Sequence, residues 1–170
     1  MDLKKHIRDI PNFPKPGILF KDITPLLKDP DAFACTIDML AERYTRMDVD
    51  AVLGIDARGF LFAAPLAYKM RKPLVPVRKH GKLPFNTKSV KYEFEYGDNV
   101  IEVHVDGVIP GQRVVIVDDL LATGGTLAAS ARLVEESGGV VAELAVVVEL
   151  SFLKGRDRLK SYSIHSLMQY

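Results

Sequence analysis

The sequence predicts an α/β fold: a mainly parallel sheet flanked by helices, with a small N-terminal cap and a β-hairpin joined to a flexible loop. Three observations carry that prediction. From about residue 50 onward, short apolar runs alternate with helical patterns. Val114 to Val117 and about Val140 to Val148 are apolar on both alternating faces, so both faces must be buried, as in a parallel sheet. The residues between them, about Thr126 to Ser137, repeat at helical spacing and stop at Gly138-Gly139, which completes a strand–helix–strand unit.

The elements follow in chain order. Leu3, Ile7 and Ile10 recur at helical spacing and predict a short first helix that ends by Pro11. Pro11 to Gly17 carries three prolines and reads as an extended loop before the apolar run Ile18-Leu19-Phe20. Asp29-Pro30 supplies an N-cap and a first-turn proline, and Phe33, Ile37, Leu40, Ala41 and Tyr44 mark one face of the helix behind it. Ala51 to Ile55 is a strand. Gly59 to Met70 reads as a helix whose weak point is Pro65, where it starts late or kinks. Leu74 to Val77 is a further strand. Tyr92, Phe94 and Tyr96 alternate with Glu93 and Glu95; Ile101, Val103 and Val105 alternate with Glu102, His104 and Asp106. With Gly97-Asp98-Asn99 as the turn, these predict an antiparallel hairpin with one polar face. Pro110-Gly111 then leads into Val114.

The 170 residues suit one domain, in which residues 1 to about 35 form a hood. A formal net charge of +1 argues against a nucleic-acid partner, which would call for a basic stripe. No stretch has the length of a membrane span or of a signal-peptide core, so the expected compartment is the cytoplasm. Cys35 is the lone cysteine, is expected as a packed core thiol and can form no intramolecular disulfide. His6, His104 and His165 match no transition-metal spacing.

Ligands on parallel sheets bind at the carboxyl ends of the strands, which directs attention to the residues after Ile55 and Val117. The run from Val114 to Thr126 is the most informative in the chain. A buried strand delivers Asp118 and Asp119, then Ala122, Thr123, Gly124, Gly125 and Thr126 lead into a helix. Glycines let backbone N–H groups curl round an anion, threonine hydroxyls add donors, and the helix N-terminus adds partial positive charge. Two carboxylates beside such a cradle suit the two hydroxyls of a ribose, or the water shell of a metal. No Gly-Lys-Ser/Thr ending and no Gly-x-Gly-x-x-Gly is present, so neither a P-loop nor a dinucleotide fingerprint applies. A second strand-to-helix turn, Asp56-Ala57-Arg58-Gly59-Phe60, offers another anion site or an ordinary turn with an exposed arginine. Arg78 to Pro84 gathers Arg78, Lys79, His80 and Lys82 around a glycine, as a solvated charged loop or a lid.

The 114–126 run resembles the phosphoribosyl pyrophosphate motif of the type I phosphoribosyltransferases. The segments Pro14 to Pro25, Gly54 to Phe60, Arg78 to Pro84, Tyr92 to Gly97, Val148 to Leu150 and Leu153 to Gly155 resemble the adenine-specific family in particular, in the same order and nearly end to end. The resemblance implies the type I phosphoribosyltransferase fold and transfer of ribose 5-phosphate from phosphoribosyl pyrophosphate to adenine, giving AMP and pyrophosphate in purine salvage. It implies Mg2+, held mainly through substrate and water near Asp118 and Asp119, and a homodimer. Asp118, Asp119 and residues 122–126 would hold the ribose 5-phosphate. Ala57, Arg58, Gly59, Arg78, Lys79 and Lys82 would hold pyrophosphate. Leu19, Phe20, Lys21 and Arg58 would hold the base. Glu95 corresponds to the family's catalytic glutamate, with Glu93 in reserve. Lys21 stands where relatives often carry arginine; a backbone contact tolerates the change, a side-chain contact does not. His80 departs from the family's pattern and is assigned no role. Two other readings stay open: a transferase for hypoxanthine, guanine, xanthine or orotate, and a regulator that senses phosphoribosyl pyrophosphate. The latter finds no helix-turn-helix and no basic cluster in the first ~45 residues.

Overall fold

The computed structural model describes every residue except 95 and 96, with backbone only at 93, 94, 97 and 98. Among the described residues, a seven-stranded sheet runs in the order β5-β6-β4-β3-β7-β8-β9. The strands are β3 (Ala51–Ile55), β4 (Leu74–Lys79), β5 (Thr87–Phe94), β6 (Gly97–His104), β7 (Arg113–Leu121), β8 (Val140–Glu149) and β9 (Ile164–Gln169). Pairing is parallel from β4 through β9, and the β5–β6 hairpin joins antiparallel on β4. The α/β class is as expected, and the double-sided burial of Val114 to Val117 explains it, since all four are buried.

Three helices cover one face. They are α1 (Thr24–Lys28), α2 (Pro30–Thr45) and α3 (Phe60–Met70), and they pack with β3, β7 and β8 around Tyr44, Phe62 and Leu66. Asp29 caps α2 by accepting from the Asp31 and Ala32 N–H groups, each at 3.0 Å, with Pro30 in the first turn. Pro65 does not stop α3, which runs through it from Phe60 to Met70, although the Leu61 carbonyl loses its N–H partner there. The fourth helix, α4 (Gly125–Glu136), covers the other face together with the hairpin.

Three expectations are corrected. The first helix is only a 3-10 turn over Leu3–His6; the chain then extends as β1 (Arg8–Pro11) and pairs antiparallel with β2 (Leu19–Asp22). Ile10 meets Phe20 across that pair, so a spacing that fits a helix is used by a strand. Gly97-Asp98-Asn99 is part of the ladder rather than the turn: Phe94 faces Gly97, and Asn99 pairs with Tyr92. Glu102 is not on a solvent face but buried, at 4% exposure. Helix α1 and strand β9 had no counterpart in the sequence reading. Cys35 is half-buried against the first core cluster, as a free thiol.

Candidate active site

The parallel strands bring their carboxyl ends to one edge. There β3 delivers Asp56 to Gly59, β4 delivers Arg78 and Lys79, and β7 carries Asp118 and Asp119 in its last four residues before the 122–126 loop. Asp56, Ala57, Arg58, Arg78, Lys79, Asp118, Asp119 and Thr126 line one cavity of about 430 Å³. A smaller hollow of about 70 Å³ is lined by Ala122, Thr123, Gly124, Gly125 and Thr126, and Asp118 borders both.

The smaller hollow is built from backbone. Gly124 sits at φ +82°, in the left-handed region, and α4 starts directly after it. The first backbone bond of that helix runs from Ala128 N–H to the Gly124 carbonyl, which leaves the N–H groups before it for an anion. A Cβ on Gly124 would lie 2.7 Å from the Gly155 carbonyl. Gly155 in turn belongs to a segment held from below: buried Glu149, at the end of β8, accepts from Arg156 at 2.7 and 2.8 Å and from Ser166 at 2.7 Å. Nothing in the local pattern of either segment discloses this buttress, because Glu149, Arg156 and Ser166 meet only in the fold.

Asp118 and Asp119 form the floor of the larger cavity. The Asp119 N–H donates to Asp118 Oδ1 at 2.9 Å. Burial pushes both carboxyls up from the ordinary range, and the neighbouring Asp119 charge adds to the rise at Asp118. Arg58 opposes the rise at Asp119, with Nε 2.9 Å from Oδ2. That contact is off the line of the N–H, so it is an ion pair, and Asp119 Oδ2 has no aligned donor among the described residues.

Arg58 also lies 5.6 Å from the centre of the Phe20 ring and so borders a third pocket, of about 440 Å³, beneath the hood. Phe13, Phe20, Ile10, Asp22, Thr24 and Leu61 line this pocket, with Phe13 edge-on to Phe20 at 5.2 Å. Asp22 accepts from the Thr24 N–H at 2.9 Å and its hydroxyl at 2.8 Å; the backbone bond leads in holding its carboxyl below the usual range. The structure therefore places Phe20 and Arg58 together. Leu19 is exposed and outside the lining. The Lys21 side chain turns away, with Nζ 2.6 Å from Asp9 Oδ1 and 4.0 Å from the Tyr170 ring centre.

Arg78 Nε lies 3.2 Å from Asp56 Oδ2, and its guanidinium donates to the Lys82 carbonyl at 3.2 Å. Lys79 lines the cavity, whereas Lys82 is exposed outside it. Gly59 is forced by space, since a Cβ there would lie 2.6 Å from the Ile55 carbonyl and 2.8 Å from that of Val117. The hairpin reaches across to the smaller hollow through Tyr92, whose hydroxyl is 3.3 Å from Thr126 Oγ1. Asp56, Tyr92 and Asn99 line the cavity without having been singled out; Asp56 was legible as the first residue beyond a strand end. Glu95 lies outside the described residues, and the side chain of Glu93 is not described.

Comparison with known proteins assigns this arrangement. Residues 26–166 match the family model of the phosphoribosyl transferase domain. The chain is 55% identical over 170 residues to the adenine phosphoribosyltransferase of Roseiflexus castenholzii, covering 100% of this chain and 99% of that one. The chain belongs to the adenine phosphoribosyltransferase family. Its fold matches the crystal structure of the Thermoanaerobacter pseudethanolicus member with a TM-score of 0.96 at 55% identity, over 99% of this chain and 98% of that one. The Saccharomyces cerevisiae member, solved in complex with adenine and an imino-altritol bisphosphate, matches at a TM-score of 0.92 and 40% identity, over 98% and 96%. The α/β architecture predicted for this phosphoribosyltransferase is thus that of its solved relatives.

Proposed function

We propose that this enzyme transfers the ribose 5-phosphate of phosphoribosyl pyrophosphate to adenine, giving AMP and pyrophosphate. The single observation that carries the reading is the position of Arg58, which borders both the carboxylate-floored cavity and the aromatic pocket under the hood. One pocket for a flat ring and one for a phosphorylated sugar thus meet at one guanidinium.

In this reading the 122–126 loop holds the 5-phosphate, and Asp118 and Asp119 hold the ribose hydroxyls. Asp119 Oδ2, ion-paired with Arg58 but without an aligned donor, suits a hydroxyl or a metal-bound water, so the pair fits Mg2+ held through water. Magnesium, when bound with the substrate, spreads the charge of the leaving pyrophosphate. Ala57, Arg58, Gly59, Arg78 and Lys79 hold that pyrophosphate, with Lys82 at the loop's outer end. The bond from the anomeric carbon to the pyrophosphate oxygen breaks with its electron pair on oxygen. An imidazole-ring nitrogen of adenine attacks from the opposite face and gives up its proton, for which Glu95 is the proposed acceptor. The carboxylates offset the positive charge that develops on the sugar. Backbone groups of 19–21 read the edge of the base, a role that the outward turn of the Lys21 side chain favours.

We further propose a cytoplasmic homodimer. Leu61 and Tyr68, seven residues apart on one side of α3, are 43% and 86% exposed and suit burial against a second copy. Among the described residues no helix is long and apolar enough to cross a membrane.

The test is pyrophosphate release from phosphoribosyl pyrophosphate and Mg2+ with adenine, hypoxanthine, guanine, xanthine and orotate offered separately. Release with adenine alone is expected. Release with another base instead overturns the base assignment, and no release with any base overturns the transferase reading.

A further inference from the structure

Glu102 is a buried carboxylate that the transfer reaction does not use. It stands on β6 directly opposite Arg78 of β4, in the register that joins the hairpin to the parallel sheet. A carboxylate at 4% exposure is costly unless its oxygens are satisfied. Arg78 is the obvious cation, yet its guanidinium goes to Asp56 and the Lys82 carbonyl instead. The bonds to Glu102 come from two and three residues further along the chain: His80 Nδ1 lies 2.5 Å from Oε1, and the Gly81 N–H donates to Oε2 at 3.0 Å. Burial pushes the Glu102 carboxyl up, but the hydrogen bonds from His80 and Gly81, with a smaller one from Thr87, outweigh it and hold the group below its ordinary value. It is therefore ionised at neutral pH, and its bonds to His80 and Gly81 are charge-assisted.

We propose that Glu102 and His80 form a clasp that positions the 78–82 loop for pyrophosphate. The clasp fixes the loop one residue beyond Lys79, at the point where the chain leaves β4. The His80 N–H donates to the Val100 carbonyl at 3.0 Å, and the Lys82 N–H closes a turn on the Lys79 carbonyl at 3.2 Å. Gly81 holds φ +77° within that turn. With the turn tied to β6, Arg78 and Lys79 enter the cavity from a fixed backbone rather than from a free loop, which lowers the ordering cost when the anion binds. Glu102 and His80 are positioning groups; neither touches the reacting atoms.

The proposal rests on the reading of this loop as the pyrophosphate site, and the test separates the two. His80 is three-quarters exposed, so His80→Ala is expected to fold, with a melting temperature lowered by about a few degrees because Glu102 Oε1 loses a partner. Losing one charge-assisted bond is expected to raise KM for phosphoribosyl pyrophosphate about five- to ten-fold and to weaken binding of inorganic pyrophosphate with Mg2+ in step. KM for adenine is expected to stay the same. His80→Asn, whose amide N–H reaches where Nδ1 stands, is expected to restore both within about two-fold. Combined with Glu102→Gln, His80→Ala is expected to add nothing further. Trypsin cleavage after Lys79 and Lys82 reads the loop without any substrate and is expected to speed up in His80→Ala and to return to normal in His80→Asn. Unchanged pyrophosphate affinity together with unchanged cleavage in His80→Ala, or equal damage in His80→Ala and His80→Asn, overturns the clasp. Faster cleavage with unchanged pyrophosphate affinity overturns instead the assignment of this loop to pyrophosphate.

Discussion

At the phosphate end of the cleft, Gly59, Gly124 and Gly155 leave no room for a Cβ against neighbouring carbonyls; at the base end, Phe13, Ile18 and Leu19 are each 41% or more exposed. The first end is main chain at the edge of a seven-stranded sheet. The second is side chains on a two-stranded sheet that shares no ladder with it. A phosphate is small, charged and met by N–H groups, so its site tolerates no added atom. A base is flat and largely apolar, so its pocket depends on how the hood is held down rather than on how its residues are crowded. Substitutions at the two ends should therefore fail differently.

The largest effect is expected at the phosphate end. Gly124→Val adds a branched side chain at φ +82° and drives it toward the Gly155 carbonyl. The loop must shift by an ångström or so, and a misplacement of that size costs on the order of 100-fold or more in kcat/KM for phosphoribosyl pyrophosphate. Steady-state kinetics on a variant shown by circular dichroism to be folded checks this. Near-normal kcat/KM would mean that the loop does not hold the phosphate.

This contrast also explains what the sequence disclosed. Val114 to Val117 declares a buried strand because no polar alternation interrupts it, and the glycines after Asp119 have few other uses in that order. The hood is harder to read. Leu3, Ile7 and Ile10 fit a helical spacing, but Ile10 is claimed by a ladder with Phe20, a pairing no local pattern encodes. Strand β9 carries Ser166 where alternation would want an apolar residue, and it forms because β8 has an open edge. Glu102 misled for the same reason: its alternation says polar face, and only the returning 78–82 loop buries it. Local pattern reports the chain's own face preferences; burial supplied from elsewhere in the sequence is invisible to it.

An intermediate effect separates function from stability on the cleft floor. Burial and the Asp119 charge raise the Asp118 carboxyl well above 3.8 in the folded protein. The folded state then binds that proton more tightly than the unfolded chain does. Folding stability therefore falls as pH rises from about 4 through the folded-state value, and is level above it. At neutral pH the native enzyme carries this penalty, whereas Asp118→Asn does not. The variant is expected to melt a few degrees higher at about pH 7, with the gap closing as pH falls toward 4. Its kcat is expected to drop on the order of 100-fold. A variant that is less stable at neutral pH and no less active would overturn both the strain and the role.

The smallest effect is expected at the base end, and it tests how the hood is fastened. Lys21 is buried at 8% exposure, with its ammonium between Asp9 of β1 and the ring of Tyr170 at the chain's end. That contact ties the β1–β2 sheet to the end of β9 without entering the base pocket. Lys21→Ala removes an ion pair and a cation–π contact, together equivalent to roughly a few-fold to ten-fold in an equilibrium. The looser hood is expected to raise KM for adenine by about that factor and to leave KM for phosphoribosyl pyrophosphate alone. Lys21→Arg keeps the charge, the stem and the stack on Tyr170, so it is expected to stay within about two-fold of the native enzyme for both substrates. If Lys21→Arg instead shifts adenine affinity as strongly as Lys21→Ala does, the side chain itself senses the base, and the contact cannot run through the backbone alone. A shift confined to Lys21→Ala, matched by Tyr170→Ala and absent from the phosphate side, fixes the base end as a lid fastened from outside its own pocket.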